Sequence, residues 1–398
     1  WAGETLGDGY SGPAAADGMG VVSEDNGIVT MIRNHELKGS SGPIGDANKA
    51  WDITGGGATT LQFDTGSERL VGSWISLTGT VNNCAGGVTP WGTWLSCEEA
   101  PITPEYRHLG GDTRQKRWRV KNAKKSHGYV FEVRPEGESN PEPILDMGQF
   151  YHEAVAFDPD SGIVYMTEDV APHAGLYRYL PKVPGDLHAG GRLQMLKVEG
   201  VEDLTGSLPL NKPMVCDWVT IENPHQGHTP GTHDGAGVVR QGLLAGGSAF
   251  ISLEGCIYHD GSIYFTSKAG GGAKAGQIFR LDIRQKTVQL IFEAVDKRGF
   301  SGPDNIVVSP RGSLIICEDR LGLSTKGQYI AGLGETGSLF ALCQINPELH
   351  AVHAGHKLHQ TALRSEWAGA CFSSDGKWMF VNIYDPGITL AITGPWVV

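Results

Sequence analysis

One plan of residues recurs six times along the chain, and a repeat limits the fold more than any other feature, because each copy can bury its apolar face only against its neighbours. Each copy opens on an acidic or small polar residue, runs through a short apolar strand and turns at Asp, Gly or Pro. It then returns through a second apolar strand to another polar cluster. The clearest copy is His152–Asp169, HEAVAFDPDSGIVYMTED. Leu253–Lys268, Gly302–Asp319, Glu366–Asp385 and Asp17–Glu36 follow the same plan, and Asn82–Glu99 follows it more loosely. Further strand-like runs, such as HGYVFEVRP and QIFRLDI, come after several of the copies. A hairpin with one or two outer strands is a propeller blade, so the expected fold is all-β, a six-bladed β-propeller with loop insertions, in one domain over residues 1–398. The copies lie roughly 50 to 65 residues apart, except for a long gap between the third and fourth. That gap, residues 181–247, is rich in Gly, His and Pro. It reads as an outer strand plus an insertion over one face, where function often sits. A sandwich with coincident Asp-Gly turns is the competing fold.

Innermost propeller strands begin and end around the central channel, so equivalent positions of the copies converge on one axis. One ring holds Asp17, Asn83, Glu153, Glu254, Asp304 and Glu366. The other holds Glu36, Cys97 with Glu98 and Glu99, Glu168 with Asp169, Ser267 with Lys268, Glu318 with Asp319, and Asn382 with Asp385. Two rings of carboxylates on one axis repel strongly and persist only with protons or bound cations. Oxygen ligands favour several Ca²⁺ ions. Cys97 adds a softer thiolate suited to iron or zinc; a buried free thiol or a disulfide with Cys84 are its alternatives. His35 and His152 each precede a Glu, either as orienting or ligating groups or as core histidines.

Composition removes other classes. The formal net charge of −12 argues against a nucleic-acid partner, which needs a basic face; the one basic stretch, Arg114–Lys125, reads as a solvated loop. No apolar run reaches the length of a membrane span. The seven cysteines include no CxxC pair, which argues against a zinc ribbon. The chain starts at Trp1 rather than Met, and a cleaved export signal fits a periplasmic or secreted protein.

Several strings resemble the PhoX-type alkaline phosphatases: NHE at Asn34–Glu36, TPWGTWLSCEE at Thr89–Glu99, HEA at His152–Ala154, EG at Glu254–Gly255, PDN at Pro303–Asn305 and CFSSDGKWMFVNIYDPG at Cys371–Gly387. The resemblance spans nearly the whole chain. It implies an exported six-bladed propeller that hydrolyses phosphate esters with a mixed iron and calcium cofactor. It also implies that Cys97 binds Fe³⁺ and that Glu153 and Glu254 hold the cluster. The expected ligand set is Glu36, Cys97, Glu98, Glu153, Glu168, Glu254, Asp304, Asp319 and Glu366, and the expected catalytic residues are Glu254 and Lys268, acting on a small-molecule phosphoester. Two departures stand out. Family members commonly carry an Arg two residues before the Glu of the EG motif, where this chain has Ser252. An Arg makes bidentate contacts to phosphate that Ser cannot, and Lys268 is the nearest compensating cation. The family ending Gln-His-Pro-Gly is replaced by Tyr384-Asp385-Pro386-Gly387. A calcium-dependent lactonase, suggested by GPDNIVVSPRGSLIICED, and a non-catalytic metal-binding propeller are the rival readings.

Overall fold

The computed structural model describes the chain except residues 39–41, 105–122, 139–140, 321–326, 335–336, 346–351, 354–355, 358–364 and 395–398. Residues 114–122 of the basic stretch therefore lie outside the described residues. The strands group into blades in chain order. Blade 1 holds β1 Ala16–Asp25, β2 Ile28–His35, β3 Gly56–Asp64 and β4 Arg69–Thr80. Blade 2 holds β5 Asn83–Val88, β6 Trp94–Glu98 and β7 Val130–Val133. Blade 3 holds β8 His152–Phe157, β9 Val164–Glu168, β10 Leu176–Val183, β11 Asp186–Val198 and β12 Met214–Thr220. Blade 4 holds β13 Leu253–His259, β14 Ser262–Ser267, β15 Gln277–Asp282 and β16 Thr287–Glu293, and blade 5 holds β17 Pro303–Val308, β18 Leu314–Glu318, β19 Tyr329–Leu333 and β20 Leu339–Gln344. A small hairpin, β21 Val352–His353 with β22 His356–Lys357, precedes blade 6: β23 Trp367–Phe372, β24 Trp378–Ile383 and β25 Ile388–Thr393.

The strand pairing within the blades is antiparallel. Each repeat of the sequence becomes the innermost hairpin of one blade. Two of these hairpins close through two-residue loops with both residues at positive φ, Asn26-Gly27 and Asp260-Gly261; such loops match the strand twist. The residues of segment 181–247 finish β10, supply the outer strands β11 and β12, and then run without a strand through residues 221–236 to α1, Gly237–Leu244. At the outer edge β12 pairs with β16, through Met214 with Val288 and Val215 with Thr287, so blades 3 and 4 make one nine-stranded sheet.

The ring closes through inner-strand neighbours: β1 packs on β5, β5 on β8, β8 on β13, β13 on β17, β17 on β23 and β23 on β1. The closing joint carries polar ties: Asn382 Nδ2 donates to the Asp17 carbonyl at 2.5 Å and Arg33 to Thr389 Oγ1 at 2.7 Å. Blades are apolar on both faces because each is sandwiched between neighbours. Phe250, Phe265 and Phe279, for example, pack with Leu196 and Leu290 across blades 3 and 4. Among the described residues no helix is long and apolar enough to cross a membrane.

Candidate metal centre

Each innermost strand breaks register with its partner at one phase of the repeat. The breaks fall between Ala16 and Met19, Asn83 and Gly86, His152 and Val155, Leu253 and Cys256, Pro303 and Ile306, and Ala368 and Cys371. A bulge re-aims side chains that a regular pleat would bury inside the sheet. Asp17, Cys84, Glu153, Glu254 and Asp304 sit within five of these breaks, and Glu366 precedes β23.

A second ring comes from the residue just past each second strand. Its amide donates to the residue leading into the first strand: Glu36 to Ala15, Glu99 to Asn82, Asp169 to Tyr151, Lys268 to Ser252, Asp319 to Gly302 and Tyr384 to Glu366, at 2.8–3.2 Å. The two rings meet at one end of the channel. Ligand atoms lie within 4.8 Å of one another in four groups: Cys84, Glu99 and Glu153; Asp17, Glu36 and Glu366; Glu153, Glu254 and Asp304; and Asp304, Asp319 and Glu366.

At the bulges neighbouring inner strands pack backbone to backbone. A Cβ on Gly18 would come 2.5 Å from Ala85 Cα, one on Gly255 2.6 Å from the Asp304 carbonyl, and one on Gly369 2.4 Å from the Asp17 carbonyl. The same inner strands also line an apolar cavity of about 540 Å³, with Val21, Val88, Val155, Ile257, Val307 and Phe372 among its walls.

Six members of the expected ligand set meet here: Glu36, Glu153, Glu254, Asp304, Asp319 and Glu366. Three do not. Cys97 packs with Leu95, Val130, Phe150 and Tyr177 in the core between blades 2 and 3, because it lies inside β6 and not at its end. Cys84 is the thiol that joins the acids, and both cysteines are free. Glu98, the last residue of β6, turns into its blade, where it accepts from the amides of Val81 and Gly128 at 2.8 Å and from Tyr129 at 3.3 Å, and meets His127 Nδ1 at 2.7 Å. Glu168, the last residue of β9, accepts from Gly175 at 2.9 Å and the Tyr177 hydroxyl at 2.7 Å. The residues that replace them at the axis are Glu99 and Asp169. Asn83 bonds Ser96 at 2.9 Å and Thr80 at 2.6 Å. His35 contacts the Ala14 carbonyl and Thr59, and His152 the Gly148 carbonyl, so both histidines serve the blades. Cys84, Glu99, Asp169 and Tyr384 are the residues that sequence reasoning placed less sharply. Their signal was position: one residue past each second strand, or two past the residue that enters the first.

Burial, and then mutual repulsion, pushes the carboxyls of Asp17, Glu99, Glu153, Glu254 and Glu366 well above their ordinary range. The Cys84 thiol is raised for the same reasons, with Glu153 and Glu99 adjacent. Glu99 and Asp169 share a hydrogen bond, and Tyr384 bonds Glu36. Asp319 differs: burial opposes its ionisation, but Lys268 beside it holds its carboxyl low. The Lys268 ammonium pairs with Asp319, with Asp304 at 3.1 Å and with Glu254 at 3.4 Å. Its pKa is raised, since the carboxylates outweigh burial. Lys38 stands at the rim, 3.4 Å from Glu36.

The donor set fits metal ions. Glu254 Oε1 is buried and, apart from its ion pair, has no hydrogen bond; Asn82 Oδ1 beside Glu99 has none either. One thiolate with two carboxylates suits iron, and the oxygen-only groups suit calcium.

A family model described as alkaline phosphatase PhoX matches residues 45–387. Among solved structures, Pseudomonas fluorescens PhoX in complex with vanadate, a transition state analogue, superposes with a TM-score of 0.66 at 17% identity, covering 96% of this chain and 88% of that one. A gluconolactonase from Xanthomonas campestris gives a TM-score of 0.47 at 10% identity, covering 96% of this chain and 86% of that one. The search of curated proteins found no match.

Proposed function

Because this chain belongs to the alkaline phosphatase PhoX family, a family of phosphatase-type hydrolases, we propose that it is a metal-dependent phosphomonoesterase or related phosphoester hydrolase that acts outside the cytoplasm. The observation that carries this reading is the convergence, at the centre of the ring, of carboxylates from every blade, with one thiol. Cys84, Glu99 and Glu153 would hold iron, and Asp17, Glu36 and Glu366 calcium. When bound, such ions neutralise phosphate oxygens and polarise the attacking oxygen.

The remaining work falls to the chain. Glu254 has a buried oxygen without a hydrogen bond, and Lys268 places positive charge 3.4 Å from it; Glu254 stays the candidate for direct action on the phosphoester, with Lys268 acting through its charge. The half-exposed Lys38 gives the mouth a positive charge for an anionic substrate. Ser252 sits at positive φ beside Asp169 and hydrogen-bonds it. A phosphate clamp there would have to come from another side chain.

The test is hydrolysis of a simple phosphomonoester, with iron and calcium supplied, by the wild type and Ser252→Arg. A recovered charged contact of roughly 1.5–3 kcal/mol corresponds to about one to two decades of rate, so Ser252→Arg should be faster by that factor. No turnover by either protein with metals bound would end the phosphatase reading.

A further inference from the structure

Lys268 breaks the pattern of its own ring. At the equivalent position other blades carry Glu36, Glu99, Asp169 and Asp319, and blade 6 carries Tyr384; blade 4 alone offers a cation. Its side chain is only 13% exposed. The three protons of its ammonium face three carboxylates from two blades: Asp319, Asp304 at 3.1 Å and Glu254 at 3.4 Å. An ammonium has three donors and no acceptor; Asp319 and Asp304 take hydrogen bonds from it, and Glu254 Oε1 stands at ion-pair distance. A buried lysine persists only when its charge is paired in this way.

The cage overlaps the ligand groups unequally. The group of Glu153, Glu254 and Asp304 and the group of Asp304, Asp319 and Glu366 each draw two of three carboxylates from the Lys268 cage. The thiol group of Cys84, Glu99 and Glu153, and the group of Asp17, Glu36 and Glu366, draw none. An ion entering either of the first two groups would compete with the ammonium for the same oxygens and meet its charge at close range.

We propose that Lys268 is a resident cation that fills one metal position of the centre, so that the protein binds one divalent ion fewer than its carboxylates would otherwise hold. The inference rests on the metal-centre reading above. It makes Lys268 a positioning residue: it holds Asp304, Asp319 and Glu254 together without a metal and confines ions to the two groups outside its cage. Its influence on a bound phosphoester is then through charge, since its ammonium is held among these three carboxylates.

The test is elemental analysis of the full chain after loading with calcium and iron and removal of free ions, for the wild type, Lys268→Met and Asp319→Asn. Lys268→Met should hold about one more divalent ion per chain than the wild type, with oxygen-ligand preference for calcium. Asp319→Asn should hold the same number as the wild type, because Asp319 binds the ammonium and not an ion. Equal or lower metal content in folded Lys268→Met, or loss of an ion in Asp319→Asn, would overturn the proposal. If circular dichroism shows Lys268→Met unfolded, the Asp319→Asn count decides. A wild type that takes up no metal sinks the metal-centre reading itself and this inference with it; a metal-bearing wild type without the gain sinks only the inference.

Discussion

Neighbouring residues take opposite jobs at the strand ends. In Cys97-Glu98-Glu99 the first is core, the second is an anchor inside the blade and the third faces the axis. Substitutions can separate these roles. Cys84→Ser should abolish a thiolate–iron charge-transfer band in the iron-loaded protein, whereas Cys97→Ser should keep it; a band that survives the first and vanishes in the second would return the ligand to Cys97. Glu99→Gln should lower metal content without loss of metal-free stability, since burial and neighbouring carboxylates already oppose its ionisation. Glu98→Gln should do the reverse, because its carboxylate answers three buried amides and His127. Leaving such partners unmatched costs about 3 kcal/mol, readable by denaturant titration alongside metal analysis.

Register breaks and clamps work at the scale of the element. The bulge that aims Glu254 at the axis also brings Gly255 against blade 5, where an added Cβ would meet the Asp304 carbonyl at 2.6 Å and the Ile306 amide at 2.7 Å. Gly255→Ala should therefore destabilise by about 1–3 kcal/mol; an unchanged melting curve would show that the inner strands part freely. A second device ties the return of the chain into blade 2. His127 lies buried between Glu98 at 2.7 Å and Asp52 at 3.3 Å, and Asp52 accepts from the amides of Lys124 and Lys125 at 2.6 and 2.9 Å. Burial alone would lower the His127 pKa, but the two carboxylates raise it to about 9. A raised pKa means that this stability is fully present below the ordinary histidine value near 6.5 and is lost as pH climbs through about 9. The loss is on the order of 3 kcal/mol. Melting temperature should fall over that window, and His127→Gln should remove most of the dependence; identical pH profiles for the two proteins would rule the clamp out.

For the whole molecule, closure of the ring and occupation of its centre are coupled, since the candidate ligands come from every blade. An ion bound only to the folded ring at 100 times its Kd adds about 2.7 kcal/mol, so a chelator should lower the melting temperature of metal-loaded protein. The pH dependence has a definite sign. Asp17, Glu99, Glu153, Glu254 and Glu366 have raised pKa values without metal. Their contribution to the metal-free fold is therefore full below the ordinary carboxylate range near pH 4 and is lost as pH rises through the raised values. Metal binding needs the deprotonated forms. The gap in melting temperature between loaded and chelated protein should widen from pH 5 to pH 8; a constant gap would mean that ions do not bind these carboxyls.

By itself the sequence determined the six hairpins, the all-β ring they build, the phase at which acids recur, and the kinship carried by its longer motifs. These are local matters: a period of two along a strand, turn residues between strands, and polar residues at strand ends. Only the tertiary structure decided which of two adjacent residues faces the axis. A one-residue bulge moves a side chain from one face to the other, and the repeat is too irregular in sequence to show where each bulge falls. The bulge in β5 is why Cys84 joins the acids, and Glu99 and Asp169 replace Glu98 and Glu168 because they stand one residue past the second strands, where Glu98 and Glu168 still belong to the ladder. The clamp of Asp52, Glu98 and His127 and the cage around Lys268 were also out of reach, because their members are far apart along the chain and come together only when the ring closes.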